Sequence, residues 1–170
     1  LSDERVRQRQ TQAHNTVGIN GASSSEVWSG FRVARRARIL DRSVQQDPDG
    51  KISFSASHNG FAKQGIPCIH HRTWQLNGNT LKITDTLNGE FSNALGALHL
   101  HPSTRCVSLN ATHAIISAGD YELKLEVRGA ALHIEDTSYH PEFGVSLPTQ
   151  KLVFTFEQPC VTSLISWIKG

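Results

Sequence analysis

Polar and apolar residues alternate along much of this chain, and no other feature of the sequence restricts the fold as strongly. Residues 121–127, Tyr-Glu-Leu-Lys-Leu-Glu-Val, are apolar at every second position and charged between. A β-strand points successive side chains to opposite faces, so this pattern predicts a strand with one buried and one wet face. Residues 81–87, 131–134, 151–156 and 161–168 show similar patterns.

Turn signals separate these segments at intervals of roughly 8–15 residues, as in all-β domains. They are Asn20-Gly21, Asp47-Pro-Asp-Gly50, Asn59-Gly60, Asn77-Gly78, Asn88-Gly89, Gly119-Asp120 and Arg128-Gly129. The Asn77-Gly78 pair lies between two strand patterns and predicts a β-hairpin. Because helix caps are few, the sequence predicts around a dozen strands in a large two-layer antiparallel β-sandwich. No linker is visible, so residues 1–170 are expected to form a single domain.

Composition excludes several classes of protein. The chain is 38% hydrophobic and 19% charged, as in an ordinary soluble globular domain. No apolar run approaches the ~18 residues of a membrane span, so none is predicted. The net charge of +2 gives no indication of nucleic acid binding. Arginine is concentrated in the first quarter, which faces either a polyanion or solvent; the positions are 5, 7, 9, 32, 35, 36, 38 and 42.

The chain also lacks several familiar reactive motifs. Cys68, Cys106 and Cys160 are an odd number without CxxC spacing, so we expect buried free thiols and no disulfide framework or zinc knuckle. There is no glycine-rich phosphate loop, no G-x-S-x-G elbow and no paired-carboxylate motif. The chain opens without Met at Leu1, which we interpret as a boundary within a longer polypeptide.

One segment stands out for its chemistry. Residues 9–17 read Arg-Gln-Thr-Gln-Ala-His-Asn-Thr-Val, and residues 25–31 read Ser-Glu-Val-Trp-Ser-Gly-Phe. A histidine entering a strand, here His14, suits a metal ligand, an acid/base group or a neutraliser of a carboxylate. A hydrogen-bonded structural histidine is the commoner outcome. One histidine does not make a zinc site, which needs about four ligands.

These two runs closely resemble the start of the later β-sheet portion of heparinase II/III-like proteins. Further segments are similar to the family in the same order. They are the His-His-Arg strand at 69–73, the strand at 81–85 that ends in Asp before Gly89, the His-Leu-His-Pro run at 98–102, and Tyr-His-Pro-Glu-Phe-Gly at 139–144.

The resemblance implies one part of a two-part enzyme. An α/α-toroid comes first in this family, a supersandwich-like β-sandwich follows, and the active-site cleft lies between them. Such enzymes cleave uronic-acid-containing polysaccharides, heparan- or alginate-like, by β-elimination. A base removes the proton next to the uronate carboxylate, and an acid protonates the leaving oxygen. The family's catalytic Tyr and His fall upstream of Leu1, so we predict no catalytic residue in this chain and no activity for it alone.

The resemblance also implies zinc in the full-length protein. It makes His14 the third protein ligand, and the other two, a His and an Asp, precede Leu1. We therefore expect an incomplete site, with no zinc held by this chain by itself. The resemblance also implies a periplasmic location, with the cytoplasm as the alternative.

Four residues are candidate substrate contacts. Arg9 either guides a substrate carboxylate, orients His14, or is a surface residue near a frayed terminus. Trp28 lies in a loop-like context and either stacks on a sugar ring or packs against another part of the protein. His71 and Arg72 match a basic pair of the family, so a cleft contact is predicted, with a structural role as the alternative.

Other groups have two interpretations each. Arg32, Arg36 and Arg38 are predicted to share one face of a strand, as a polyanion strip or a wet face. His99 and His101 have a spacing that metals use, with His70 or His71 joining them, although hydrogen-bonded strand histidines are more common. Tyr139 and His140 are acid/base residues, but the turn after them favours a structural corner.

Three functions remain open. The chain is either an inactive half of a uronate-polysaccharide lyase, a non-catalytic module that binds acidic glycans or a protein, or a small metalloenzyme built around strand histidines. The first predicts two partners, the N-terminal toroid and an acidic polysaccharide. It also predicts that the first strands of the domain precede Leu1, and that their absence leaves an open sheet edge that allows self-association.

Overall fold

The computed structural model describes residues 3–169 and confirms an all-β, antiparallel fold. The strands in the described part of the chain are β1 (Val17–Ile19), β2 (Glu26–Trp28), β3 (Arg32–Ala34), β4 (Ile39–Gln46), β5 (Ile52–His58), β6 (Cys68–Asn77), β7 (Thr80–Gly89), β8 (Ala94–His99), β9 (Thr104–Leu109), β10 (His113–Ala118), β11 (Tyr121–Arg128), β12 (Ala131–Tyr139), β13 (Leu147–Phe156) and β14 (Cys160–Lys169).

Helices are short and were not predicted. They are α1 (Asp3–Gln8), a 3-10 turn (Thr11–Ala13) and α2 (Gly60–Lys63). Among the described residues, no helix has the length and apolar character needed to cross a membrane.

Two main sheets form the layers of the sandwich. One has four strands in the order β1-β8-β13-β12, and the other has eight in the order β4-β5-β6-β7-β14-β11-β10-β9. The core lies between them and joins Val17 and Ile19 of β1 to Leu87 of β7 and Leu125 of β11. A separate hairpin pairs β2 with β3.

The predicted hairpin at Asn77-Gly78 is confirmed between β6 and β7. Asn77 pairs with Thr80, so the loop is Gly78 and Asn79. Gly78 has a φ of +53°, a conformation that favours glycine. Glycine is also required at Gly96 in β8, because a Cβ there would lie 2.1 Å from the ring of Phe154 on the paired strand.

The eight-stranded sheet extends beyond the buried core at one of its ends. Every residue of the edge strand β4 is exposed. The neighbouring strands also expose apolar side chains, including Ile52, Phe54 and Leu76. This end of the sheet is therefore uncovered on the face that is buried elsewhere.

Two local predictions were wrong. Arg32, Arg36 and Arg38 do not share a strand, because β3 ends at Ala34 and Arg35 has a φ of +39°, which breaks the extended backbone. Trp28 lies in strand β2, not in a loop, and pairs with Arg32.

The prediction of a strand that ends at Asp85 was also wrong. Strand β7 continues to Gly89, and Asp85 occupies the inner face between Ile83 and Leu87. The cysteines are all free, as expected, but only Cys68 is buried and Cys160 is exposed.

Candidate functional site

Several titratable side chains from distant parts of the chain line one cavity of about 570 Å³. Its walls come from the N-terminal segment around α1 and the 3-10 turn, from the end of β8 with its following turn, and from the end of β12. The titratable residues that line it are Arg7, His14, His99, His101, Tyr139 and His140. From the sequence, His14, the His99 and His101 pair, and the Tyr139 and His140 pair are separate candidates, and Arg7 is only one of the N-terminal arginines. The fold brings them to the same cavity.

Asn15 joins the first two walls. Its side-chain Oδ1 accepts hydrogen bonds from the backbone N–H of His99 at 2.7 Å and from the His99 ring Nδ1 at 3.0 Å. Because Nδ1 carries the proton, Nε2 is left as a proton acceptor. Burial lowers the pKa of His99, and the positive charges of Lys151, His14 and Arg7 lower it further. His99 is therefore a neutral base at the cavity wall.

His101 has the opposite tautomer. The backbone N–H of Ser103 donates to its Nδ1 at 3.2 Å, so the ring proton lies on Nε2. The ring meets Tyr139 edge to face, with the centroids 5.1 Å apart. This wall thus offers an imidazole N–H and a phenol as donors.

Both ring nitrogens of His140 have partners. Its Nδ1 donates to the carbonyl of Val145 at 3.0 Å, which leaves Nε2 beside three groups. They are Ser138 Oγ at 2.9 Å, Arg7 Nη2 at 3.2 Å and Glu4 Oε1 at 2.8 Å. Ser138 and Arg7 are hydrogen-bond donors to this nitrogen, and the Glu4 carboxylate lies beside it.

The Glu4 carboxylate partly neutralises the positive charge of Arg7 at this wall. Arg7 donates through Nε and Nη2 to both oxygens of Glu4, at 2.9 and 2.6 Å. These hydrogen bonds, together with one from Gln8, lower the pKa of Glu4 to about 2. The cavity therefore combines proton acceptors, proton donors and a guanidinium, which suits an acidic ligand and proton transfer.

A complete metal site is not formed by the described residues. Within residues 3–169, no group of three or more His, Cys, Asp or Glu side chains is arranged to hold a metal ion. His14 is exposed and lines the cavity. One available imidazole fits a single corner of a zinc site, not the whole site.

The predicted substrate contacts Arg9 and Trp28 lie at the β2–β3 hairpin. Arg9 donates to the carbonyls of Ser29 at 2.7 Å and Arg32 at 2.9 Å, so its guanidinium holds this hairpin and does not orient His14. Trp28 is 47% exposed, with the Arg32 guanidinium 4.7 Å from its ring centre. A substrate contact by either residue stays a prediction.

His71 and Arg72 do not act as a pair, because successive residues of β6 point to opposite faces. His71 contacts Thr73 at 3.4 Å. Arg72 is buried on the inner face and lines a separate cavity of about 270 Å³. A contact with substrate stays a prediction for both. His70 does not join His99 and His101, because it is buried against Asp85.

Sequence reasoning missed a buried polar cluster, which consists of His58, His70, Arg72 and Asp85. Arg72 binds both oxygens of Asp85, at 2.6 and 3.0 Å, and His70 Nε2 lies 2.6 Å from Oδ1 of the same carboxylate. Burial favours the protonated carboxyl, but these hydrogen bonds outweigh it and lower the pKa of Asp85. The signal was present in the alternation, because Asp85 occupies an apolar position of β7 and requires a partner there.

Comparisons with known proteins show the family and the fold of the chain. The sequence model of a family described as heparinase II/III-like, C-terminal, matches residues 2–168. The fold is similar to heparan sulfate lyase HepC from Pedobacter heparinus, with a TM-score of 0.78, 14% identity, and coverage of 98% of this chain and 26% of that one. A heparinase III with methylated lysines gives a TM-score of 0.75, 13% identity, and coverage of 99% and 25%. The chain thus spans about a quarter of these proteins. No curated protein matches it in sequence.

Proposed function

Because the chain belongs to the heparinase II/III-like, C-terminal family, we propose that it forms the β-sandwich wall of the active-site cleft of a polysaccharide lyase. The proposed substrates are uronic-acid-containing polysaccharides of the heparan or alginate type, cleaved by β-elimination. The observation that carries this proposal is the cavity where Arg7, His99, His101 and Tyr139 converge.

The chemistry of β-elimination matches what this cavity offers. The proton next to a uronate carboxylate becomes removable when donors stabilise the charge that develops on that carboxylate. The Nε2–H of His101 is such a donor, and the free Nε2 of His99 is a proton acceptor. The guanidinium of Arg7 lies at the same cavity but already donates to both oxygens of Glu4. We propose that these groups complement the family's catalytic Tyr and His, which come from polypeptide outside residues 1–170.

We propose that the chain is inactive alone and that its main partner is the N-terminal α/α-toroid of the same protein. Its coverage of about a quarter of two larger lyases supports this, as does the uncovered apolar end of the eight-stranded sheet. His14 is proposed to supply one zinc ligand in the full-length protein. The described residues do not complete that site, so we derive no catalytic step through zinc.

A second candidate is a non-catalytic module that binds acidic glycans. The exposed β2–β3 hairpin favours it, because Phe31 is 87% exposed and Arg5 lies 4.5 Å from its ring centre. Trp28 and Arg32 repeat this arrangement on the paired strands. Aromatic rings stack on sugars, and guanidinium groups bind carboxylate and sulfate.

The two candidates are separated by comparing residues 1–170 with the full-length polypeptide on heparan sulfate and on alginate. The lyase proposal predicts release of C4–C5 unsaturated uronate, detected by its ultraviolet absorbance, with the full-length polypeptide only. Glycan binding that weakens with salt, without unsaturated product from either protein, supports the module instead. Product formation by residues 1–170 alone contradicts the proposed division of the active site.

A further inference from the structure

The buried cluster of His58, His70, Arg72 and Asp85 is connected to the cavity by one hydrogen bond. Arg72 Nη1 donates to the backbone carbonyl of Asn15 at 2.6 Å. The other two nitrogens of the guanidinium, Nε and Nη2, bind the two oxygens of Asp85. Three of the five N–H groups of the Arg72 guanidinium are therefore held by acceptors of the protein itself.

Asp85 also accepts the last of a series of hydrogen bonds that runs from Gly60 through His58 and His70. The backbone N–H of Gly60 donates to His58 Nδ1 at 3.1 Å, so the proton of the neutral His58 ring lies on Nε2. That Nε2 lies 3.2 Å from His70 Nδ1, which accepts, and His70 then donates from Nε2 to Asp85. The direction of each bond follows from the Gly60 N–H, so the cluster has one orientation.

Asn15 connects the buried cluster to the cavity. Its main-chain carbonyl is bound by Arg72 from the large sheet, and its side-chain Oδ1 binds the backbone and ring of His99. His14 is the residue before it and lines the same cavity. The position of the wall formed by His14, Asn15 and His99 thus depends on a guanidinium that does not line that cavity.

We propose that Arg72 is a positioning residue, which Asp85 holds in place and which fixes the wall formed by His14, Asn15 and His99. The role rests on the proposed function, since it matters for catalysis only if this cavity is the lyase site. Lysine cannot replace arginine in this role. A single ammonium neutralises Asp85 but lacks the planar fork needed to bind both carboxylate oxygens and the Asn15 carbonyl together.

The test is amide hydrogen exchange, followed by mass spectrometry, on the full-length polypeptide with Arg72→Lys. The matched control is Arg42→Lys, because Arg42 lies in the same cross-strand row, on the exposed edge strand β4. Peptides that cover β8 report the His99 amide, and peptides that cover β11 report global unfolding. We expect exchange in the β8 peptide to rise about ten-fold in Arg72→Lys, with β11 unchanged and Arg42→Lys like the wild type.

Two results would overturn the proposal. One is an equal acceleration in β8 and β11, which shows a structural role only, and the other is an unchanged β8 peptide. If Arg72→Lys does not fold, Asn15→Ala provides a second route, because it removes the acceptor of the His99 amide and leaves the main-chain carbonyl that Arg72 binds. Exchange that is unchanged in the β8 peptide of this variant contradicts the link between Asn15 and His99. Neither measurement requires catalysis, so failure of the lyase proposal is detected separately.

Discussion

The two ends of the eight-stranded sheet differ although they share the same face. A single cross-strand row runs through Val44, Phe54, Trp74, Ile83, Ser163 and Val127. Exposure falls along this row from 70% at Val44 and 37% at Phe54 to 7% at Ile83 and 1% at Val127. The four-stranded sheet contributes to the core at the buried end, and no described residue covers β4.

This difference shows which end of the sheet is packed by the described residues and which end is left uncovered. Alternation gives both ends an apolar inner face, but only one end obtains a layer to pack against. Exposed apolar faces of this kind mark interaction sites, and exposed edge strands recruit further strands. The His58, His70, Arg72 and Asp85 cluster occupies the boundary, where β5, β6 and β7 pass from the uncovered to the covered region.

The largest expected effect compares two valines of the same row. Val127→Ala removes buried methyl groups from the core and should lower the free energy of unfolding by about 2–3 kcal/mol. Val44→Ala is the matched control and should change it by less than about 0.5 kcal/mol in the isolated chain. Urea denaturation of both variants measures this difference. Equal losses would show that the β4 end is packed.

A smaller effect concerns acid and the boundary cluster. Burial is the largest cause that lowers the pKa of His58 to about 4, and the neighbouring His70 and Arg72 make smaller contributions to the same shift. As the pH falls, the His58 ring binds a proton below about pH 6.5 in the unfolded chain but only below about pH 4 in the folded chain. Protonation therefore favours the unfolded chain between these two pH values, and the folded chain is most stable above pH 6.5. The free energy of unfolding should therefore fall by roughly 2 kcal/mol between pH 6.5 and 4, after allowance for the partial exposure of His58.

His58→Asn is expected to flatten this dependence, measured by urea denaturation at each pH. Repeating the series in high salt controls for exposed ion pairs such as Arg35 and Glu26, which salt screens. An equally steep dependence in the variant would assign the titration to other groups.

The smallest effect concerns self-association through the uncovered end. We expect the isolated chain to form weak oligomers through β4, and Val44→Lys should weaken them about ten-fold by placing a charge on the edge strand. Val107→Lys, on the edge strand β9 at the other side of the sheet, is the control. Sedimentation over a range of concentrations measures the association. Monomers at every concentration, or equal effects of both variants, would remove β4 from the interface.

The fold could be predicted because strands leave a strong local signal. Alternation placed β11 and β14 within a few residues, and Asn77-Gly78 placed the β6–β7 hairpin. The prediction that Arg32, Arg36 and Arg38 share one strand face was wrong because alternation does not reveal a residue with a positive φ. Arg35 is such a residue. The helix α1 was not predicted because five of its six residues are polar and none of its side chains is buried.

The site was harder to predict because it depends on packing between distant segments. Local sequence identifies His14 or Tyr139 as reactive, but not that the ends of β8 and β12 meet the N-terminal segment. The family resemblance directed attention to Arg72 as a substrate contact, whereas its partners are Asp85 and Asn15. A buried carboxylate at an apolar strand position was the one local sign of that pairing.

The most direct measurement of the central claim is the rate at which the full-length polypeptide forms unsaturated uronate when His99 is replaced by alanine. If the cavity is the sandwich wall of the lyase site, the rate should fall at least about 100-fold, as for loss of a group engaged in proton transfer. His133→Asn, on the exposed part of β12, should retain the wild-type rate. A His99→Ala protein with the wild-type rate would contradict the account.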